Sequence, residues 1–280
     1  MQTILYTVIA LLAFAGNSIL CRHALKGDVI DASSFTILRL ISGALFLVIL
    51  IMVKQRSTFN LKEGSWSSAF YLFLYMVTFS FAYITLDTGV GALILFASVQ
   101  AIMILINVLK GKMLKPLECV GLLIAFSGFT LLLLPSASTP PLAGFLLMVV
   151  SGVAWGLYTL AGKRSKNPLI NTANNFVRTM PFVALLLLFT LETTKITHEG
   201  LLLAIVSGGL TSGLGYAIWY AALKGLNITQ AAILQLTVPI IATFGGVVFS
   251  NEAITKELAI SSLLVLSGIL IVTLGKHYKR

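Results

Sequence analysis

DASSFTILRLI, residues 31–41, returns 139 positions later as INTANNFVRTM, residues 170–180, and the alignment sets Arg39 on Arg178. Both arginines stand inside runs that are otherwise almost wholly apolar. The same offset lays GALILFASVQ (91–100) on QAAILQLTVP (230–239). Small changes of offset bring Ser127-Gly128 onto Ser267-Gly268 and YITL (83–86) onto YAAL (220–223). The chain contains itself twice, and what each copy is made of decides the fold class.

The 280 residues are 58% hydrophobic and only 10% charged, with a mean hydropathy of +1.00. Soluble domains carry about 25% charged residues, so this is the composition of a membrane protein. A helix needs about 20 mostly apolar residues to cross the hydrocarbon core. That ruler places spans at 3–21, 34–53, 67–86, 90–109, 116–134, 142–162, 172–190, 200–222, 227–249 and 257–275. The runs are too long and too uniformly apolar for the alternation of an outer-membrane barrel. The first run lacks a basic leader, and Arg22 and His23 follow it in place of a cleavage site, so it is expected to be a retained helix. The expected fold is an all-α integral membrane protein of ten transmembrane helices.

The net charge of +10 does not point to nucleic acid, because the basic residues fall in short clusters between apolar runs. With the N-terminus inside, cytoplasmic loops hold 13 Lys and Arg and the opposite loops hold 4, namely Arg22, Lys26, Lys195 and Lys256. Arg39 and Arg178 lie within spans. Basic residues favour the cytoplasmic side, which puts both termini in the cytoplasm.

Each copy has five spans. Five is odd, so the second copy enters the membrane upside down. The expected division is a first repeat over 1–135, an outer linker over 136–141 and a second, inverted repeat over 142–280. Two inverted bundles can exchange conformations around one central site, opening it alternately to each side. Arg39 lies about 9 Å into its helix, counted from Ser33, and Arg178 lies equally deep from the opposite face. From there each side chain can snorkel to the headgroups or pair at the rim, or it can reach into the interior between the halves.

Several sequence features resemble the drug/metabolite transporter superfamily, EamA type. They are the duplication, the segment YAALKGLNITQAAILQLTVPIIATFGG (220–246) and the SNEAIT and SGILIV stretches after it. The second half carries Pro239 in its ninth span and Glu252 in the loop before the last. The first half departs, with Gln100 at the place of Pro239 and Lys112 at that of Glu252. The resemblance implies export of a small metabolite, often an amino acid or related compound, across a bacterial inner membrane.

Polar residues at mid-membrane depth are costly and therefore informative. Gln100 lies about 15 Å into the fourth span, near the midplane, and Gln235 lies at a similar depth in the ninth. Their amides suit zwitterionic or amide-bearing ligands. Asn17 and Trp155 occupy matched first and sixth spans, and Tyr83 and Trp219 sit near the ends of the third and eighth. These six are the expected substrate contacts, with Tyr75, Tyr158, Tyr216 and Tyr220 behind them. Arg39, Arg178, Pro239 and Glu252 are the expected structural or gating residues. Pro181 and Pro239 can bend their helices, and SGGLTSGLG (207–215) offers small faces for close approach.

No catalytic set emerges. His23, His198 and His277 lie in loops or at the terminus, Cys21 and Cys119 form no framework, and no phosphate-binding GxxxxGK[ST] loop exists. No cofactor or metal is expected. Carboxylates avoid the deep spans, which favours facilitated export over a dedicated proton relay. Asp28, Asp31, Glu192 and Glu199 read as ordinary solvated outer charges. The leading expectation is a secondary transporter, acting as a monomer or weak homodimer on a small-molecule substrate. The competing classes are an integral-membrane enzyme acting on a lipid-linked substrate and, further behind, a channel.

Overall fold

A computed structural model of the chain describes residues 2–55, 63–109, 111, 115–133, 140–162, 165–191, 194–226 and 228–275. The expected linker 136–141 falls outside the described residues except at its last two positions, as do Arg56, Lys62, Lys112, Arg164, Glu192 and the basic C-terminus. Described are α1 (Gln2–Lys26), α2 (Ala32–Gln55), α3 (Trp66–Tyr83), α4 (Thr88–Leu109), α5 (Pro116–Leu133) and α6 (Leu142–Gly162). They continue with α7 (Pro168–Arg178), α8 (Met180–Thr190), α9 (His198–Val206), a π-helical segment (Ser207–Leu214) and α10 (Gly215–Leu223). Last come α11 (Ile228–Gln235), α12 (Thr237–Ser250) and α13 (Lys256–Gly275). No strand occurs among the described residues. The one β pairing among them is an isolated antiparallel bridge between Ile30 and Ile196.

Among the described residues, six stretches are long and apolar enough to cross a membrane: Gln2–Lys26, Ala32–Val53, Thr88–Ile106, Leu142–Gly162, Pro168–Thr190 and His198–Leu223. Exposed apolar side chains such as Leu12, Ile49, Leu123, Phe126, Leu188, Phe244 and Leu263 girdle the molecule. That surface belongs in lipid, where an apolar exterior costs nothing and every backbone group must be bonded inside its own helix.

Local sequence sets the helix ends. Ser65 caps α3 through its side chain onto Ser68 N, and Asn167 caps α7 with Pro168 just inside. Asp31 accepts from Ser34 N at 2.8 Å at the start of α2. The expected spans 172–190, 200–222 and 227–249 are each interrupted. Pro181 and Pro239 lack the N–H that would reach back four residues, and their rings displace the carbonyls of Val177 and Gln235. The helices break there, at Thr179 and Leu236. In the eighth span, glycine-rich SGGLTSGL opens into the wider π turn.

Helix pairing links the two halves of the chain throughout. α5 lies on α13 and α4 on α12, while α3 and α4 clasp α6. In the same way α1 is held by α12 and by the α9–π–α10 run, and α2 lies along the π segment and α7. Gly208 permits the α2 contact, since a Cβ there would overlap the Ser42 hydroxyl and the Arg39 carbonyl.

Candidate functional site

Five helical segments meet at a buried polar cluster. The π turn sets Ser207, Thr211 and Ser212, four and five residues apart, on one face, because its hydrogen bonds run to the fifth residue. Ser207 donates to Asn17 Oδ1 on α1 at 2.7 Å and Ser212 reaches the same oxygen at 3.4 Å, while Thr211, 3.3 Å from it, donates at 2.9 Å to the Ser207 carbonyl. Asn17 Nδ2 in turn donates to the hydroxyls of Tyr75 on α3 and Tyr216 on α10, at 3.2 and 3.1 Å. Arg39 on α2 completes the set. Its Nε donates to Ser212 Oγ at 2.8 Å, and its Nη2 donates to Tyr216 at 2.8 Å and Tyr75 at 3.2 Å.

Of the two courses open to Arg39, the structure takes the interior one. The residue is 0% exposed. Its guanidinium lies 5.0 Å from the Phe79 ring centre and 5.5 Å from that of Tyr75, a cation–π arrangement. Among the described residues no carboxylate pairs with it, and Nη1 has no hydrogen-bond partner. A buried cation held only by neutral oxygens and ring faces is an expensive arrangement.

Aromatic rings wall this cluster. Trp155 on α6 lies 4.6 Å from Tyr216, 5.0 Å from Tyr75 and 5.3 Å from Phe14, measured between ring centres. Phe14 also touches Trp219 at 5.5 Å. The indole N–H groups of Trp155 and Trp219 are buried without partners.

At one end of the molecule ion pairs tie the two halves together. Arg22 bridges Asp87 at 2.8 Å and Glu252 at 3.1 Å, and its Nη1 donates to the carbonyls of Tyr83 and Ile84 at 3.0 Å. The other Glu252 oxygen accepts from Thr88 N at 2.8 Å. Asn251 closes α12 in the left-handed conformation, which returns the chain so that the Glu252 carboxylate fits against Gly246, where a Cβ would collide with it. Nearby, Lys195 pairs with Asp28 and its N–H donates to Asp31 at 2.8 Å. His23 stands 3.7 Å from Glu199. Asp28 and Glu199 are solvated as expected, their side chains 77% and 61% exposed, but they are not scattered, since Lys195 and His23 join them and Asp31 into a seam between the two halves.

At the opposite end, which holds the start of α1, a cavity of about 300 Å³ opens between α1, α2, α7 and α10. Tyr6, Leu50, Pro168, Ala217 and Lys224 are among its lining residues. Arg178 and Asn174 donate to the Glu63 carbonyl at this end, joining α7 to the residues just before α3.

The structure thus gathers Asn17 and Trp155 around the tyrosine pair that holds Arg39, with Trp219 further out against Phe14. Gln100 is buried on α4, one turn beyond Phe96, which stacks on Phe14 at 6.3 Å. Gln235 is buried at the helix break with its Oε1 unpartnered and its Nε2 on Ala231 O at 3.2 Å. Tyr83 sits under the tied end, its hydroxyl on Thr88 O at 3.3 Å, away from the Arg39 cluster. Sequence reasoning ranked Tyr75 and Tyr216 low and did not single out Ser207, Thr211, Ser212 or Arg22. A usable signal existed: a deep arginine in spans without carboxylates needs neutral partners, and tyrosine and serine are the residues that supply them.

A helical, lipid-girdled bundle with a polar centre drawn from both halves is built as a multi-pass membrane transporter. Its second half, residues 142–274, matches the EamA-like transporter family. An uncharacterized protein of Pseudomonas aeruginosa is 48% identical over 271 residues, covering 97% of this chain and 94% of that protein. An uncharacterized transporter of Archaeoglobus fulgidus is 28% identical over 83% of this chain and 84% of its own. A solved crystal structure shares the fold, with a TM-score of 0.68 over 98% of both chains at 18% identity. The chain belongs to the EamA-like transporter family, within the drug/metabolite transporter superfamily.

Proposed function

We propose that this protein exports a small metabolite, an amino acid or related compound, across the bacterial inner membrane by alternating access. In this reading ten spans form two inverted five-helix repeats with both termini cytoplasmic. The helix pairing supports it. Exchanging each element for its counterpart turns α3–α6 into α10–α1 and α4–α6 into α12–α1, and leaves α5–α13, α4–α12 and α2–α7 unchanged.

The observation that carries the proposal is the Asn17–Arg39–Tyr75–Ser212–Tyr216 cluster. It is buried and shared by both halves, and at one end it lies beneath a seam of ion pairs. Asn17, Gln100, Trp155, Trp219 and Gln235 line the substrate path in this account. Tyr83 and Glu252 belong to the outer gate, Arg178 to the inner one, and Pro239 marks a hinge. A carrier working as a monomer needs nothing further.

Counterflow in proteoliposomes tests the proposal. The purified protein, loaded with an amino-acid pool, is expected to show saturable exchange that external pool accelerates. An ohmic current would make it a channel, and lipid turnover without flux would make it an enzyme.

A further inference from the structure

The cavity at the end that holds the start of α1 faces away from the polar centre. One of its walls is a single face of α10 and the turn before it, where Leu214, Ala217, Ile218, Ala221 and Lys224 recur every three or four residues. Tyr216, Trp219 and Tyr220, all buried, occupy the opposite face. Ala217 and Ala221 carry nothing beyond Cβ, so this wall is a furrow and not a ridge. From Leu214 to Lys224 it runs about 15 Å, ten residues at 1.5 Å each, which is half of a hydrocarbon core about 30 Å thick. Its polarity changes along that length. The deep part is apolar, and Lys224 stands where α10 ends. Lys224 Nζ donates to the Lys166 carbonyl at 2.7 Å, which brings a second exposed lysine beside the first. Among the described residues neither lysine pairs with a carboxylate.

We propose that this furrow binds an anionic phospholipid of the surrounding bilayer, with one acyl chain along α10 and the phosphate against Lys224 and Lys166. The match is one of length, polarity and charge. An apolar furrow stays dry and loses its dispersion contacts if left empty, so in a bilayer a lipid chain fills it. Lysines at the edge of a span attract anionic headgroups, and no carboxylate competes for these two. The volume of about 300 Å³ falls at the lower bound of ligand pockets, about 300–1,000 Å³. Tyr6 on α1, 37% exposed, adds the amphipathic ring common at headgroup level. Because α1 and α2 come from the first half and α7 and α10 from the second, a bound lipid links the halves at the end opposite the ion-pair seam. The inference stands apart from the transport reading and needs only that the chain sits in a membrane.

The test uses the full chain, delipidated in detergent and titrated with phosphatidylglycerol or with phosphatidylcholine of the same acyl chains. Native mass spectrometry counts the bound lipid, and hydrogen exchange locates it. One phosphatidylglycerol per chain is expected, held at least roughly tenfold more tightly than phosphatidylcholine, since each nearby lysine favours the anion several-fold. It should slow amide exchange over 217–226. Lys166→Gln/Lys224→Gln should abolish the preference, and Lys256→Gln, at the start of α13, should keep it. Ala221→Phe fills the furrow and should weaken both lipids at least roughly tenfold. Equal binding of the two lipids, or a preference that survives the double lysine change, would overturn the proposal. So would unchanged phosphatidylglycerol binding by folded Ala221→Phe. Glycerophosphoglycerol, the headgroup without its chains, should protect nothing; protection of the same amides by it would mark a site for a free phosphate ester and overturn the lipid assignment. If Ala221→Phe fails to fold, the lysine variants and the chainless headgroup decide.

Discussion

Replacing Glu252 by Gln should release the tied end and shift the protein towards the state open there. Glu252 is nearly buried, its side chain 6% exposed, and Arg22 is 9% exposed. One carboxylate oxygen accepts Arg22 Nε at 3.1 Å and the other Thr88 N at 2.8 Å. A glutamine keeps one acceptor and turns an NH2 towards the remaining donor. A hydrogen bond to a charged group contributes about 1.5–3 kcal/mol. Taking about 2 kcal/mol, the equilibrium between closed and open moves roughly 30-fold, at one decade per 1.4 kcal/mol. Asp87 is the built-in control. Its carboxylate is 53% exposed, so solvent screens the pair and Asp87→Asn should move the equilibrium by less than about 1 kcal/mol. The assay places a cysteine at Thr88, buried beneath the seam, on a Cys21→Ser/Cys119→Ser background, and times its reaction with a membrane-impermeant maleimide in whole cells. Labelling should rise by about the 30-fold derived above in Glu252→Gln and only a few-fold in Asp87→Asn. Equal rates in Glu252→Gln and the parent, or a larger effect from Asp87→Asn, would refute the assignment of the seam as a gate.

Gly208→Ala should lower stability by about 2 kcal/mol through overpacking, because the new methyl meets the Arg39 backbone, with the carbonyl carbon at 2.9 Å; a fall in Tm of several degrees in detergent checks it. Pro239→Ala restores an N–H within reach of the Gln235 carbonyl, so amide exchange over 235–240 should slow and counterflow should fall as the hinge stiffens. Trp155→Phe keeps the ring wall but deletes the unpartnered N–H, and Gln100→Ala deletes a buried amide. Both should impair flux at normal expression in a cell-based export screen.

The helices and their lipid-facing surface were legible because length and hydropathy follow directly from bilayer thickness. The breaks were half legible. Pro181 and Pro239 announce their own kinks, but SGGLTSGL reads equally as a tight α contact or a π turn, and only its neighbours, Gly43 and Arg39 on α2, decide. Depth also came from counting, which is why Asn17 and Trp155 were found. Direction did not. In a helix that is apolar all round, no polar stripe tells which face looks inward, so nothing in FTILRLISGALF revealed that Arg39 turns to Tyr75 and Tyr216. Arg22 was misplaced for a different reason. Expected in an outer loop, it lies inside α1, which runs on to Lys26, because a charge ending an apolar run marks the membrane edge and not the helix end.

Ile30 and Ile196 face one another in an antiparallel bridge across the two halves, and the flanking bonds from Thr197 N to Val29 O and from Asp31 N to Lys195 O make them a non-hydrogen-bonded pair, whose Cα atoms lie about 4.5 Å apart, within the span of a disulfide. Ile30→Cys/Ile196→Cys protein, free of its native cysteines, should cross-link on oxidation and be held closed at that end. Rocking bundles then require counterflow to stop when the bond forms and to return on reduction. Undiminished exchange through fully cross-linked protein would contradict alternating access around a shared central site.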